Sequence, residues 1–296
     1  MTELDAAEDT EPTPAVAPTA TSAGALVLVA TPIGNLGDLS PRATAELTRA
    51  DAIACEDTRR TGRLLAHFGI DRPKLLVVND HTEQAAVTEV LARLGRGERV
   101  AVVTDAGMPG ISDPGEQLVA AAAAAGHVVE VVPGPSAAIN GLVASGLPTG
   151  RFVFEGFLPR KGSGRSQRLA ELAGERRTIV LYEAPHRLAR TLADLAAALG
   201  ADRPVVLARE LTKLHEEIWR GSLSEGIDRC AEVEPRGEYV LVVEGAPAPV
   251  AATDDDLVAA VATEIAAGRS TRDAVTVVAG RFGVSRRQVY DLATRR

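Results

Sequence analysis

Short apolar runs recur along this chain, and segments with helical periodicity separate most of them. The runs lie at 25–30, 75–78, 100–103, 128–132, 178–182, 205–208 and 239–243. Apolar runs of this length are typical of strands that are buried on both faces. Helical periodicity occurs at 41–49, 85–94, 117–125, 136–144 and 188–199. The alternation predicts an α/β protein with largely parallel sheets.

Changes in composition and pattern divide the chain into five segments. Residues 1–23 are rich in Thr, Ala, Pro and acidic side chains, which predicts a disordered acidic tail. The segment 151–157 (RFVFEGF) alternates in character, so we expect one α/β domain at 24–148 and a second at 149–246. Pro and Ala dominate the predicted linker at 247–253.

Residues 254–296 predict a small helical module. Three short helices are expected at 255–266, 270–281 and 285–294, with Ser270 and Ser285 at N-cap positions. Gly283 marks the turn between the last two helices. This spacing is helix-turn-helix-like, although three helices with a glycine turn also occur as a purely structural module.

Composition places the chain among soluble globular proteins and excludes several classes of site. Of its 296 residues, 46% are hydrophobic and 24% are charged. Two cysteines, Cys55 and Cys230, provide neither a disulfide framework nor a zinc site. Because the chain shows no secretory signal and no apolar run that could span a bilayer, we expect a cytoplasmic protein without membrane contact.

Four loops rich in Gly and Pro follow predicted strands, where open α/β sheets bind ligands. They are TPIGNLGDLS (31–40), TDAGMPGISDPG (104–115), VPGPSAA (132–138) and YEAPHR (182–187). The first loop is neither a GxGxxG fingerprint nor a Walker loop, so a nucleotide site of either kind has no support. In the second loop, Asp105 directly follows the strand, which predicts that its carboxylate faces the crevice. Ser136 opens a helix in the third loop, whose free N–H groups point toward the same edge.

Seven motifs in order resemble one known family. They are TPIGNLGDLS, CEDTRRT (55–61), TDAGMPGISDPG, PGPSA, EGFLPRK (155–161), YEAPHR and ARELTK (208–213). Together they resemble the ribosomal RNA small subunit methyltransferase I family, part of the tetrapyrrole-methylase-like group. The resemblance covers roughly residues 25–296. It implies two α/β domains with S-adenosylmethionine in the cleft between them, a homodimer, and methylation of the ribose 2′-hydroxyl of a cytidine in the decoding region of 16S rRNA within the 30S subunit.

The resemblance also implies which residues contact the methyl donor. They are Ile33, Asp105, Met108, Ser136, Ala137, Tyr182 and Leu211. The broader group often has glycine at the positions of Ala30 and Pro32. With proline at position 32, the first loop is expected to be stiffer and to serve RNA more than the donor.

Methyl transfer from a sulfonium is mainly a problem of positioning and needs no metal. A ribose hydroxyl is a poor nucleophile until its proton begins to leave, so a nearby base is expected to help. Five residues of the motifs are candidates, and the sequence does not rank them: Glu56, Asp57, Glu183, His186 and Glu210.

A net charge of −8 excludes non-specific coating of nucleic acid, so an RNA partner requires local basic clusters. The segment 160–165 (RKGSGR) is expected to be an exposed, mobile loop suited to phosphate contacts. The candidate RNA-binding residues are Arg59, Arg60, Arg160, Lys161, Arg165, Arg187, Arg286 and Arg287.

Two alternatives belong to different functional classes. A small-molecule methyltransferase acting on tetrapyrrole precursors would share the cleft and the donor site. It would not need CEDTRRT, the basic loop or the C-terminal helices. A helix-turn-helix regulator that binds nucleic acid would use those helices, but it would leave both α/β domains without a purpose.

Overall fold

The structure is a computed structural model that describes residues 24–71, 73–79, 82–247 and 252–294. The predicted tail at 1–23, residues 248–251 of the predicted linker and the last two arginines lie outside the described residues. The chain divides into two compact units, Met1–Gly245 and Ala246–Arg296. The first unit contains two five-stranded sheets, and the elements described in the second are three helices.

The first sheet is entirely parallel and has the strand order β3-β2-β4-β1-β5. Its strands are β1 (Ala25–Val29), β2 (Ala52–Cys55), β3 (Lys74–Val77), β4 (Arg99–Val102) and β5 (Val128–Val132). Neighbouring residues of a strand pack into different apolar clusters. Val27 of β1 and Ile53 of β2 lie in one cluster, while Leu26 of β1 and Ala52 of β2 lie in another. Side chains alternate across a strand, so these clusters cover the two faces of the sheet and explain its continuous apolar runs.

Five helices connect the strands of the first sheet and follow the last one. They are α1 (Pro41–Arg49), α2 (Thr58–His67), α3 (Glu83–Gly95), α4 (Glu116–Ala124) and α5 (Ala137–Ser145). Helix α1 begins where the sequence predicts, because Ser40 accepts a hydrogen bond from the N–H of Ala43 and proline occupies the first helical position.

The second sheet corrects the expectation of largely parallel sheets. Its strands are β6 (Phe152–Phe157), β7 (Thr178–Glu183), β8 (Pro204–Arg209), β9 (Glu217–Ser222) and β10 (Tyr239–Val243), in the order β6-β7-β10-β8-β9. Only β6 and β7 pair in parallel, and the other three pairs are antiparallel. The link from β8 to β9, residues 210–216, is too short for the crossover that parallel neighbours need.

Three helices complete the first unit: α6 (Ser163–Ala173), α7 (Pro185–Leu199) and α8 (Leu223–Glu232). The longest, α7, buries Leu188, Leu192 and Leu195 along one stripe. This spacing matches the helical period and turns the stripe toward the sheet core. None of the helices in the described ranges is both long and apolar enough to cross a membrane.

Helix α5 comes from the first half of the unit but packs against the second sheet. Its Ala138 and Leu142 share one buried cluster with Val180, Val206 and Val240. Helix α5 and Ile33 of the first loop therefore share an apolar core with the second sheet.

The second unit consists of α9 (Asp254–Ala266), α10 (Thr271–Phe282) and α11 (Arg286–Thr294), as the sequence predicts. Ser270 accepts a hydrogen bond from the N–H of Asp273, and Ser285 accepts one from the N–H of Gln288. Gly283 has a φ of +67°, which favours glycine at a helix C-terminus. The core of this unit contains Leu257, Val261, Val275, Val278 and Val289.

Candidate active site

A cavity of about 530 Å³ lies beyond the carboxyl ends of the first-sheet strands, and loops of the second sheet form part of its wall. This volume is in the range of pockets that enclose small ligands. The seven residues predicted to contact a donor all line it: Ile33, Asp105, Met108, Ser136, Ala137, Tyr182 and Leu211. The structure therefore brings together side chains from five separate segments of the chain.

The loop from Thr104 to Gly115 is fixed at both ends. At its start, the N–H of Thr31 donates to the carbonyl of Gly107 at 2.9 Å, and the N–H of Gly107 donates back at 3.1 Å. At its end, Oε1 of buried Glu83 accepts hydrogen bonds from the N–H groups of Gly115, Gln117 and Leu118. Gly115 has no side chain to cap α4, so Glu83 caps that helix from α3.

Asp105 lines the cavity, and one of its carboxylate oxygens has no hydrogen-bond partner among the described residues. Its Oδ2 lies 3.2 Å from Nη1 of Arg60, whereas its Oδ1 is buried without a hydrogen-bond partner among the described residues. Burial raises the pKa of the Asp105 carboxyl, and the charge of Arg60 opposes this rise. A buried acceptor without a partner is costly, so the site suits a ligand that carries a hydroxyl or an amine.

Tyr182 connects the second sheet to the start of α5. Its hydroxyl accepts a hydrogen bond from the N–H of Ala138 at 3.1 Å, and burial raises its pKa. The ring packs against Phe154 and Phe157 at centroid distances of 5.1 and 5.6 Å. Ser136 occupies the N-cap position of α5 but makes no capping hydrogen bond. Tyr182 instead binds the N–H of Ala138, one of the N–H groups at the start of α5 that the sequence analysis expected to be free.

A charged loop between β8 and β9 forms the far side of the cavity. Nζ of Lys213 lies 2.8 Å from Oε1 of Glu210 and 2.8 Å from Oε2 of Glu238. Burial raises the pKa of the Glu210 carboxyl, but hydrogen bonds from Lys213 and from the N–H of Glu238 outweigh it, and the net pKa is lowered. Glu210 also has a φ of +48°, a strained conformation for a residue with a side chain.

Two glycines let the loops of the two sheets approach each other. A Cβ on Gly34 would lie 2.3 Å from Cγ of Lys213, and a Cβ on Gly156 would lie 2.8 Å from Oγ of Ser112. Gly156 has a φ of +56° and follows an irregularity in the pairing of β6 with β7. Larger residues at these two positions would push the walls of the cavity apart.

Glu183 lines the cavity, but both of its carboxylate oxygens have partners inside the protein. Oε2 accepts a hydrogen bond from the hydroxyl of Thr191 at 2.6 Å, and Oε1 accepts one from the N–H of Ala184 at 2.9 Å. Oε1 also lies 3.1 Å from Nε of Arg187. The Nη2 group of Arg187 donates to the carbonyl of Leu158. Arg187 therefore links the start of α7 to the end of β6. To bind RNA, as the sequence analysis expected, its guanidinium would have to give up these contacts.

Arg165 corrects the expectation of an exposed basic loop at 160–165. It lies in α6 with 4% of its surface exposed, and it forms an ion pair with Asp194 at 2.7 Å. It also donates to the carbonyl of Pro159 and to the hydroxyl of Thr191. With its guanidinium so occupied, Arg165 is not available to phosphate. Arg160 and Lys161, in the turn before α6, are exposed as predicted.

Asp57 does not line the cavity among the described residues, in contrast to Glu56, His186 and Glu210. It caps α2 by accepting a hydrogen bond from the N–H of Arg59 at 2.7 Å, and it pairs with the Arg59 guanidinium. The hydrogen bonds from Arg59 lower the pKa of Asp57 to about 2. A carboxylate this acidic is a weak base, so the capping role replaces the expected catalytic one.

Comparison with known proteins decides the family. The model of the tetrapyrrole (corrin/porphyrin) methylases matches residues 25–226. A ribosomal RNA small subunit methyltransferase I from Synechocystis is 48% identical over 91% of this chain and 97% of its own length. One from Xylella fastidiosa is 53% identical over 75% of this chain and 82% of its own length. The chain belongs to the ribosomal RNA small subunit methyltransferase I family.

A solved tetrapyrrole methylase shares the fold of this methyltransferase I chain. Uroporphyrin-III-C-methyltransferase from Thermus thermophilus superimposes with a TM-score of 0.54 at 24% identity, covering 75% of this chain and 94% of the other. The part of the chain that it covers corresponds in size to the two-sheet unit. The fold that contains the mixed second sheet is therefore that of the tetrapyrrole methylases.

Three charged residues at the site of this methyltransferase I chain were not predicted from the sequence. Lys213 stands in the ARELTK motif and could have been named from it. Glu238 and Glu83 lie in no motif, and their partners are 25 to 35 residues distant along the chain. Contacts over that separation depend on strand order, which the residue pattern did not specify.

Proposed function

We propose that this chain is an S-adenosylmethionine-dependent methyltransferase of the cytoplasm that 2′-O-methylates a cytidine ribose in the decoding region of 16S rRNA within the 30S subunit. The observation that carries the proposal is the match, over nearly the whole chain, to relatives named ribosomal RNA small subunit methyltransferase I. Most residues that line the cavity, from Ile33 to Lys213, lie within residues 25–226, which the family model matches.

The cavity residues fit the methyl donor in their chemistry. Asp105 offers the unpaired Oδ1 to a hydroxyl or amine, while Ile33, Met108 and Leu211 supply an apolar wall. When bound, S-adenosylmethionine supplies an electrophilic methyl group on its sulfonium. The protein's own task is then to align the acceptor oxygen and exclude water.

Among the candidate bases, we propose that Glu56 and His186 are the two able to accept the ribose proton. Both line the cavity. Glu183 has a structural role at the start of α7, and hydrogen bonds lower the pKa values of Glu210 and Asp57, so we rank these three lower. A base with a low pKa takes up little of the proton in the transition state.

Single-turnover methylation at saturating donor tests this assignment on Glu56→Gln, His186→Asn and Glu210→Gln. Loss of the general base is expected to slow transfer by about 10²- to 10⁴-fold. We expect such a loss for Glu56→Gln or His186→Asn and less than tenfold for Glu210→Gln, with donor affinity measured on each variant as the check of folding. A loss confined to Glu210→Gln would overturn the assignment.

The substrate is tested by offering labelled donor to unmethylated 30S subunits, free 16S rRNA and a tetrapyrrole. We expect label in the 30S subunit, at a 2′-O-methylcytidine identified by mass spectrometry. Label in the tetrapyrrole alone would support a small-molecule methyltransferase. Removal of residues 254–296 is expected to weaken RNA binding and reduce its salt dependence, because Arg286 and Arg287 of α11 are exposed.

We also propose that the chain forms a homodimer. In support, the edge strand β5 exposes Val128 and Val131, and the helix after it exposes Ile139 and Val143. Sedimentation of Val143→Asp is expected to show a monomer. The matched control is Val77→Asp on β3, the opposite edge strand, which should leave the dimer intact. A dimer in both variants would place the interface elsewhere.

A further inference from the structure

A second cavity, of about 560 Å³, adjoins the first. Its own wall consists of the first loop, including Pro32 and Leu36, and one side of α2. Six residues line both cavities and therefore form their common boundary: Ile33, Arg60, Asp105, Ala106, Lys213 and Glu238. The ion pair between Arg60 and Asp105 lies in this boundary.

The side of α2 that faces the second cavity is cationic. Arg60, Arg63, Leu64 and His67 all line the cavity, and their spacing of three, four and seven residues places them on one face of the helix. Leu65, on another face, is buried in the sheet core. This core contact fixes the direction in which the cationic face points.

Part of this positive charge is not neutralised by the protein. Within the described ranges, the ion pairs of α2 are those of Arg59 with Asp57 and of Arg60 with Asp105, and Arg63 takes part in neither. The other acid of the cavity wall, Glu238, pairs with Lys213. Arg63 and His67 are both exposed, so the cavity presents an unpaired guanidinium and an imidazole to an incoming anion.

We propose that the second cavity binds the RNA backbone beside the methylated nucleotide, with Arg63 and His67 contacting phosphate and Arg60 joining this site to the donor cavity. The inference rests on the proposed rRNA methyltransferase function. Arginine presents a planar set of donors that matches phosphate oxygens. A backbone held along α2 brings its ribose to the common boundary, where the acceptor hydroxyl has to meet the donor.

Filter binding of labelled 16S rRNA and of unmethylated 30S subunits to Arg63→Ala and Arg63→Ala/His67→Ala tests the inference over a range of salt concentrations. Removal of one phosphate-binding side chain should reduce the slope of log K against log salt by about 0.7, or roughly fivefold in affinity at 0.1 M salt. Affinity for S-adenosylhomocysteine, measured by calorimetry, should stay unchanged, which also shows that the variants fold. Arg63→Lys should retain most of the salt slope.

The matched control is Arg96→Ala, which removes an exposed arginine shortly before β4, near the amino ends of the strands and so at the opposite end of the sheet from the cavity. It should bind RNA as the wild type does. Equal losses in the control and in Arg63→Ala, or a wild-type slope in Arg63→Ala/His67→Ala, would overturn the inference. A wild-type protein that methylates no 30S subunit would instead refute the proposed function, so the two failures are distinguishable.

Discussion

Charged groups are paired differently on the two walls of the cavity that we propose for the donor. On the second-sheet wall, Glu183 is bonded to Thr191 and Arg187, and Lys213 joins Glu210 to Glu238. On the first-sheet wall, Asp105 keeps one buried oxygen unpaired among the described residues. We infer that the second-sheet wall is built for rigidity and the first-sheet wall for recognition. Substitutions on the two walls should therefore change different measured quantities.

The largest expected effect is on stability, from Arg165→Ala behind the second-sheet wall. The change removes a buried guanidinium and leaves Asp194 and the carbonyl of Pro159 without it. Asp194 is 33% exposed, so the pair itself is only partly buried, but each buried polar group that the change leaves unpaired costs about 1–3 kcal/mol. Chemical denaturation should show the loss in the free energy of unfolding. A change below about 1 kcal/mol, the scale of an exposed pair, would show that the network is not rigid.

Asp105→Ala on the first-sheet wall should affect ligand affinity much more than stability. A hydrogen bond to a charged group contributes about 1.5–3 kcal/mol, so S-adenosylmethionine should bind roughly 10- to 150-fold more weakly. Calorimetric titration measures this loss. Asp38→Ala, in the exposed 3-10 turn Leu36–Asp38 of the first loop, is the matched control and should bind the donor normally.

A smaller effect is expected in the pH dependence of donor binding. Burial raises the pKa of Asp105 above 3.8, so affinity is complete well above that raised pKa and is lost as the pH falls through it. Arg60 holds the pKa down, and Arg60→Ala should raise it further. The loss of affinity should therefore begin at a higher pH in Arg60→Ala. Identical pH profiles for the two proteins would show that Asp105 does not bind the donor as a carboxylate.

The smallest effect should come from Arg236→Ala. Arg236 and Glu234 form an exposed pair, with 75% and 76% of their side chains accessible to solvent. Such pairs contribute little because water and salt screen them. The melting temperature should not change measurably. A clear drop would show that exposed charge pairs also stabilise the part of the first unit that contains the second sheet.

In the first half of the fold, local signals predicted four of the five strands and four of the five helices, whereas the short strand β2 and the helix α2 were missed. Ser40 and Pro41 mark the start of α1, and apolar runs mark the buried parallel strands. The second half depends on distant pairing, since β10 inserts between β7 and β8. Strand β9 (EIWRGS) is only half-buried and carries charged residues, so its pattern does not stand out from that of a loop.

The candidate site could be predicted where motifs carry it and not where packing decides. All seven expected donor contacts line one cavity because they follow strands whose carboxyl ends meet. Arg165 was misplaced because glycine, serine and basic residues together are typical of exposed loops, whereas its burial depends on Asp194 and Thr191 in α7. Asp57 was misjudged because an acidic residue before a helix serves equally well as a cap.

The loop from Thr104 to Gly115 is tied to the sheet through Thr31 at one end and through Glu83 on α3 at the other. Between these ties, Met108, Ile111 and Asp113 line the cavity. Evolution can therefore vary those three positions to suit a new ligand while the sheet below keeps its register. Within this single loop of twelve residues, the positions that anchor it to the fold are thus distinct from the positions that can determine ligand specificity.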